Sequence, residues 1–435
     1  MHSSQKGSRQ RRLFLISSLA LAVTVGNAAA GGFEKATMWD AEYSALAGAA
    51  VSSVDNSSAI FFNPAGLAFA EANDIALHAS PTWTQANGPA AGNDTYIKGE
   101  KNFVPNGGFT GAYRLNDRLV LGYGVYGAGG ASAKYKNVRV GNQGGGLIPD
   151  TSVVGDYSTD IKIMEAGLGL GYRINNNWSI GGTYRLTYAT ADINMMSTVD
   201  RLGAIGAAVG YNDMSGWNNF GVRLGTMYRS DDNRWGWGLN YRSEVDVKAK
   251  GNASFRNGLG IGNYDKRDAT ARTGLPMQIS SGIHYAVFTD LTLFGEVTYS
   301  NYSANDKIKF ESDESVAVGQ INTNWEDQYN YRIAAEYTGI EGWALRAGYI
   351  YTTAVVPEEY AAPTFSTPAA AHTYTFGAGT SLIDGKVDLD MAAEYNRAKN
   401  TDVKGGDKLT DTSRAYSGRY DSKAWAVHAT LRYKF

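Results

Sequence analysis

The chain has 435 residues, 40 Lys+Arg against 42 Asp+Glu, a formal net charge of -2 and no cysteine. A disulfide framework and thiolate chemistry are thereby excluded, and the balanced charge offers no basic surface for nucleic acid. Glycine (52) and tyrosine (28) are abundant while mean hydropathy is only -0.31, which argues against a helical membrane bundle but suits strands that are apolar on one face.

Residues 1–30 read as a secretory signal peptide. Lys6, Arg9, Arg11 and Arg12 form a basic start, an apolar run extends from Leu13 to Val25, and Ala28-Ala29-Ala30 offers a cleavage site. That run is too short to span a bilayer, which takes roughly twenty residues. The exported chain is expected to begin at Gly31.

Residues 31–73 lack strand-like alternation. They contain "MWDAEYSALAGAAV" (38–51), which suits one or two short helices, and then "SSAIFFNPAGLAF" (57–69). Pro64 has no backbone N–H and would interrupt a sheet ladder. Trp39, Leu46, Phe61, Phe62 and Phe69 make the segment too apolar for a disordered tail. A plug inside a barrel satisfies it; an arm packed under the barrel is the alternative.

From Asp74 to Phe435 the chain alternates with period two. Trp178, Ile180, Tyr184 and Leu186 share one face against Ser179, Thr183, Arg185 and Thr187 on the other. The same holds for Trp235, Trp237, Leu239 and Tyr241, for Leu291, Leu293, Val297 and Tyr299, and for Val387, Leu389, Met391 and Tyr395. In the last segment Trp425, Val427, Leu431, Tyr433 and Phe435 alternate with Ala426, His428, Thr430 and Arg432. Short polar connections at 114–118, 173–178, 229–235, 287–291, 338–343 and 383–386 alternate with long ones near 84–102, 131–159, 194–216, 248–274, 303–324, 354–373 and 399–422. Aromatics such as Trp178, Trp235, Trp343 and Trp425 stand at strand ends, as interfacial girdles do. The reading is all-β: a transmembrane antiparallel barrel of about 14 strands spanning residues 74–435, with long extracellular loops and an N-terminal helical hatch in its lumen. It belongs in the outer membrane of a Gram-negative bacterium, and the terminal Phe435 is the kind of signal read by the barrel-assembly machinery.

The segment "GGFEKATMWDAEYSALAGAAVSSVDNSSAIFFNPAGLA" resembles the N-terminal hatch of the FadL family of outer-membrane fatty-acid and hydrocarbon channels. Its Asn63-Pro64-Ala65 matches the motif at which that hatch ends. "LPMQISSGIHYAVFTDLTLFGEVTYSNYS" (275–303), "WEDQYNYRIAAEY" (325–337) and "WALRAGYIYTTAVVPEEYAAP" (343–363) extend the similarity over the mature chain, while "TFSTPAAAH" (364–372) departs from it. The resemblance implies passive uptake of a hydrophobic compound, most simply a long-chain fatty acid. Extracellular loops would capture it, a pocket inside the barrel would hold it, and it would leave sideways into the membrane beside a kinked third strand. Each CH₂ costs about 0.8 kcal/mol to expose to water, so such a ligand should avoid an aqueous exit. An aromatic-hydrocarbon channel of the same family and a structural or adhesin barrel are the alternatives.

On that expectation Gly127, Gly129 and Gly130 in "LVLGYGVYGAGG" (119–130) are candidates for the lateral opening, with Asn63, Pro64 and Ala65 lying against it. Met195, Met196, Leu202 and Ile205, with Phe255 and Leu259, are candidates for an apolar capture groove carried by loops. A carboxylate ligand needs a cation in a place of low dielectric. The inward phase supplies Arg185, Arg223, Arg242, Arg332 and Arg346, together with Glu296, Glu336, Asp388, Asp390 and Glu394. Arg185 and Arg223 are the preferred pair because they flank 194–216. The few histidines form no hydrolase triad or metal set, so no enzyme activity, cofactor or metal is expected. Expected partners are the hydrophobic ligand, outer-membrane lipid and lipopolysaccharide, and the assembly machinery; the protein is expected to act as a monomer.

Overall fold

The computed structural model describes residues 37–91, 95–199, 205–304, 306–312, 320–365, 367–404 and 416–435. The signal-peptide reading and the start of the hatch lie outside them.

Fourteen antiparallel strands close into a barrel. The first is Asp74–Ala79 continued by Thr82–Gly88, and the second is Gly107–Arg114 preceded by Asn102–Val104. The third to sixth are Leu119–Val140, Val153–Arg173, Trp178–Val199 and Ile205–Arg229. The seventh to tenth are Trp235–Arg242, Gln278–Phe288, Leu291–Ser300 and Gln328–Ile340. Trp343–Thr352, Ala371–Leu382, Val387–Val403 and Gly418–Lys434 complete the wall. Each pairs with its sequence neighbour, and the first closes on the last, from Asp74↔Lys434 to Ala79↔Ala429. One chain therefore completes the wall.

Alternation determines which face meets lipid. From Tyr420 to Arg432 in the last strand buried residues alternate with more exposed ones at every position, and the large apolar side chains among the exposed are Trp425, Val427 and Leu431, followed by Tyr433 and Phe435. Trp178, Trp235, Trp343 and Tyr433 form the girdle at the end with short turns, and Trp83, Phe103, Tyr374 and Trp425 form the one opposite. Left-handed backbone in the short turns falls at Asn233, at Gly342 and at Ile383, Asp384 and Gly385.

The other end corrects one expectation. Residues 131–140, 153–159, 194–199 and 205–216 are strand, not loop: the third to sixth strands run for 22, 21, 22 and 25 residues, about twice the length a bilayer requires. A further hairpin, Val245–Asn257 with Tyr264–Leu275, pairs with the sixth strand and extends this projecting sheet. Its tip is bonded to the others through Gly258 N–H to Gly206 O (2.9 Å) and Gly206 N–H to Thr151 O (2.8 Å). At the departing segment, Pro363 O just before it accepts the Tyr135 hydroxyl, Thr367 within it donates to Ser422, and Ala371 and His372 begin the twelfth strand.

Residues 37–70 fill the lumen. Asp40 caps the helix Ala41–Ala45 by accepting Glu42 and Tyr43 N–H, and Asn63 caps the 3₁₀ turn Pro64–Phe69 by accepting Ala65 N–H. Pro64 thus sits at the first turn of a helix, where no N–H is needed. Trp39, Ile60 and Leu67 are completely buried here, each contributing about 1.5–3 kcal/mol.

Candidate functional site

The hatch leaves a narrow cavity of about 60 Å³ against the wall. Its floor is apolar: Met38, Val51, Phe61 and Phe62 come from the hatch. Its wall is polar and cationic, with Arg223 from the sixth strand, Arg242 and Asn240 from the seventh, Gln278 from the eighth, Glu296 from the ninth and Arg332 from the tenth. Inward phase places each of them, since they alternate with lipid-facing residues. Arg223 donates to Ile60 O (3.0 Å) and lies over the Phe61 ring at 4.5 Å. Arg242 donates to Pro276 O (2.8 Å).

The expected carboxylate pair is corrected in part. Arg185 is fully buried and bound to Glu165, with Nη2 and Nε at 2.7 and 2.8 Å from Oε2; it does not line the cavity. Arg223 lines it but approaches the same Glu165 at 3.6 Å. Glu165, which also accepts the Tyr126 hydroxyl, escaped sequence reasoning. Its inward phase and the tight turn after Arg173 set it diagonal to Arg185, so a signal existed. Arg346 is similarly held by Glu336 and Asp390, each at 2.6 Å.

The hatch is tied to the wall by ions and hydrogen bonds. Glu296 Oε2 accepts Ala50 and Val51 N–H, both at 3.0 Å, while its Oε1 lies 3.3 Å from Arg332. Arg432 donates to Asp40, Asp74 and Ser57. Burial works against the Asp40 carboxylate, but His78, Arg432 and the Ser58 hydroxyl outweigh it and hold Asp40 below the usual carboxylate range.

Asn63-Pro64-Ala65 is not beside Gly127–Gly130. Asn63 Nδ2 bonds Val51 O (2.8 Å) and Thr226 O (3.1 Å), and Ala65 O accepts the Ser179 hydroxyl (2.9 Å). The motif packs on the fifth and sixth strands, where Gly181 and Gly225 leave room: a Cβ at either would collide with Pro64 or Asn63. The sequence contains both partners but no signal for their pairing.

The third strand is nonetheless irregular where its glycines fall. Its ladder with the fourth shifts between Gly127 and Gly129, leaving Ala128 as a bulge that lines the cavity. Gly129 resumes the ladder opposite Ile163, and Gly130 follows opposite Lys162. On the other side, the register with the second strand runs only to Gly108↔Tyr126. At that level the second strand breaks at Pro105-Asn106 and the first at Ser80-Pro81, and Ser80 N–H donates to Asn106 O. Three adjacent wall strands are thus interrupted at one height.

The capture candidates divide between two places. Met196 is buried among Tyr135, Val138 and Tyr157, with Met195 against it, and Ile205 is buried as well. Phe255 packs on a separate cluster containing Ile161, Val209 and Val247, and Leu259 is exposed at a hairpin tip. Leu202 lies outside the described residues. Between these regions Ile161, Ile163, Ala189, Val247 and Leu275 line a small, almost wholly apolar cleft of about 20 Å³. It is built from paired strands, which is why a search among loops missed it.

Three known proteins place this geometry. The chain is 22% identical over 369 residues to the long-chain fatty acid transport protein of Escherichia coli (strain K12), covering 77% of each. Its fold matches a Pseudomonas aeruginosa FadL homologue at a TM-score of 0.74, with 17% identity over 93% of this chain and 100% of that one. The Ralstonia pickettii toluene transporter TbuX matches at 0.67, with 17% identity over 92% and 99%. The family model for outer membrane protein transport proteins of the OMPP1/FadL/TodX type matches residues 21–435. A closed 14-strand wall, a plugged lumen and that match over nearly the whole length lead to one conclusion: the chain belongs to the OMPP1/FadL/TodX family of outer-membrane transport proteins.

Proposed function

We propose that this channel takes up long-chain fatty acids, holding the carboxylate in the lumen cavity and releasing the molecule sideways into the membrane. One observation carries the reading: a single cavity presents Phe61 and Phe62 on one side and Arg223, Arg242 and Arg332 on the other. An amphipathic anion suits a cavity with one apolar and one cationic side, with Glu296 and Glu165 offsetting part of the charge of Arg332 and Arg223. The E. coli relative is named a long-chain fatty acid transport protein, which favours the same ligand. The route suggested runs from the apolar pocket at Ile161 and Leu275 to the cavity. It then leaves past the Ala128 bulge, where the first three strands are interrupted. In this reading residues 1–30 are removed on export and 31–73 act as the hatch.

Binding of oleate and of toluene to the purified protein tests this. Arg242→Gln should weaken oleate about tenfold, the worth of roughly 1.4 kcal/mol, and leave toluene unchanged. Tight toluene binding with indifference of oleate to Arg242, Arg223 and Arg332 substitutions would assign the hydrocarbon reading instead.

A further inference from the structure

The lipid-facing side of the wall carries a feature for which transport through the lumen has no use. Across the eleventh to fourteenth strands and the first, the register aligns Tyr349, Tyr374, Tyr395, Trp425 and Trp83 at one level. Tyr374 and Trp425 are each 54% exposed, and the rings of Tyr395 and Trp425 lie 4.2 Å apart. This row marks the extracellular edge of the apolar belt. One outward-facing step higher the same ladder reads Tyr351, His372, Arg397, Lys423 and Gln85.

Arg397 and Lys423 are therefore directly opposed on adjacent strands, and both are exposed. Opposed residues have Cβ atoms about 4.5–5.5 Å apart, and like charges there destabilise a sheet. Among the described residues neither side chain has a hydrogen bond or a carboxylate partner. The acid that follows Lys423 on the same face, Asp421, is already engaged by Asn87 Nδ2 (2.8 Å) and the Tyr96 hydroxyl (2.6 Å). The described residues supply no carboxylate to this pair, which stands at the height of lipid headgroups and on the side facing them.

We propose that Arg397 and Lys423 bind a phosphate of the phosphorylated glycolipid in the outer leaflet, with its acyl chains against Tyr395 and Trp425. The guanidinium offers a planar fork for two phosphate oxygens, and the ammonium adds a point charge. The aromatic row beneath supplies the apolar contact, so cation and ring stand in the order in which such a lipid presents phosphate and chain.

Retention of bisphosphorylated lipid A by the full-length protein in detergent, followed by native mass spectrometry, tests this. The native protein should retain one molecule, and R397Q/K423Q should retain it at least tenfold more weakly while staying heat-modifiable. The native protein should retain dephosphorylated lipid A at least tenfold more weakly than the intact lipid, a comparison that decides the matter even if the variant does not fold. Millimolar inorganic phosphate should not displace the lipid, and phosphatidylglycerol should not replace it. Equal retention by variant and native protein, or of the dephosphorylated lipid, overturns the proposal. Full displacement by inorganic phosphate would overturn it in favour of a free-anion site, and equal retention of phosphatidylglycerol in favour of a general anionic-lipid surface.

Discussion

Glu296 holds Val51 by its backbone. One carboxylate oxygen accepts the N–H of Val51 and of its neighbour Ala50, and the Val51 carbonyl is taken by Asn63, so this hatch peptide is gripped on both sides. Because Glu296 also faces the lumen cavity and pairs with Arg332, the hatch and the proposed ligand site share one side chain. Glu296→Gln removes hydrogen bonds to a charged group, each worth about 1.5–3 kcal/mol. The expected outcome is a looser hatch in an intact barrel: higher ion conductance in planar bilayers with unchanged heat-modifiability. Native conductance in that variant would show that the hatch is held elsewhere.

The glycines under the Asn-Pro-Ala turn make a separate prediction. A Cβ at Gly225 collides with the Asn63 side chain, whereas one at Gly295 meets only Ile283, at 4.0 Å. Gly225→Ala should therefore raise conductance as Glu296→Gln does, and Gly295→Ala should be silent. Equal behaviour of the two alanines would mean that Asn63 is not seated against the sixth strand.

Glu165 neutralises two buried arginines, so its loss should be costly. Glu165→Gln leaves Arg185 and Arg223 without their carboxylate, and breaking a buried pair from one side costs about 3–5 kcal/mol. The midpoint of denaturant unfolding in detergent or lipid should fall accordingly, and adding Arg185→Met should restore part of it. An unchanged midpoint would mean that water reaches the site.

Release through the wall is tested at the bulge. Gly127→Phe or Gly129→Phe should slow growth on oleate severalfold while cell-surface binding and assembly stay normal, since only the exit is narrowed. Growth at the native rate would send the ligand out another way, most simply straight down past the hatch.

The wall was legible because strands of a membrane barrel obey a period of two and their turns are short. Trp178, Tyr184 and Trp425 point outward, and Arg185, Glu296 and Arg432 inward, as alternation requires. The apolar character of residues 38–69 likewise demanded a covered place. What the sequence withheld was long-range partnership. Nothing local tells Asn63 that Thr226, 163 positions away, will accept its amide, or that Arg185 will be consumed by Glu165. Composition also misled at 131–140, 153–159, 194–199 and 205–216, where glycine and polar residues suggested loops; pairing with equally long neighbours keeps those segments extended.

Arg432 has a consequence for how the molecule comes together. It sits three residues from the C-terminus, yet its guanidinium joins Asp74 at the start of the first strand and Asp40 and Ser57 in the plug. Zipping the seam and seating the plug are therefore one event: until the final strand arrives, two sheltered carboxylates lack their cation, and without the plug that cation loses two of its three partners. A barrel that closed empty would be the less stable product. The contacts that shut the finished seam are thus the same ones that hold the plug in place.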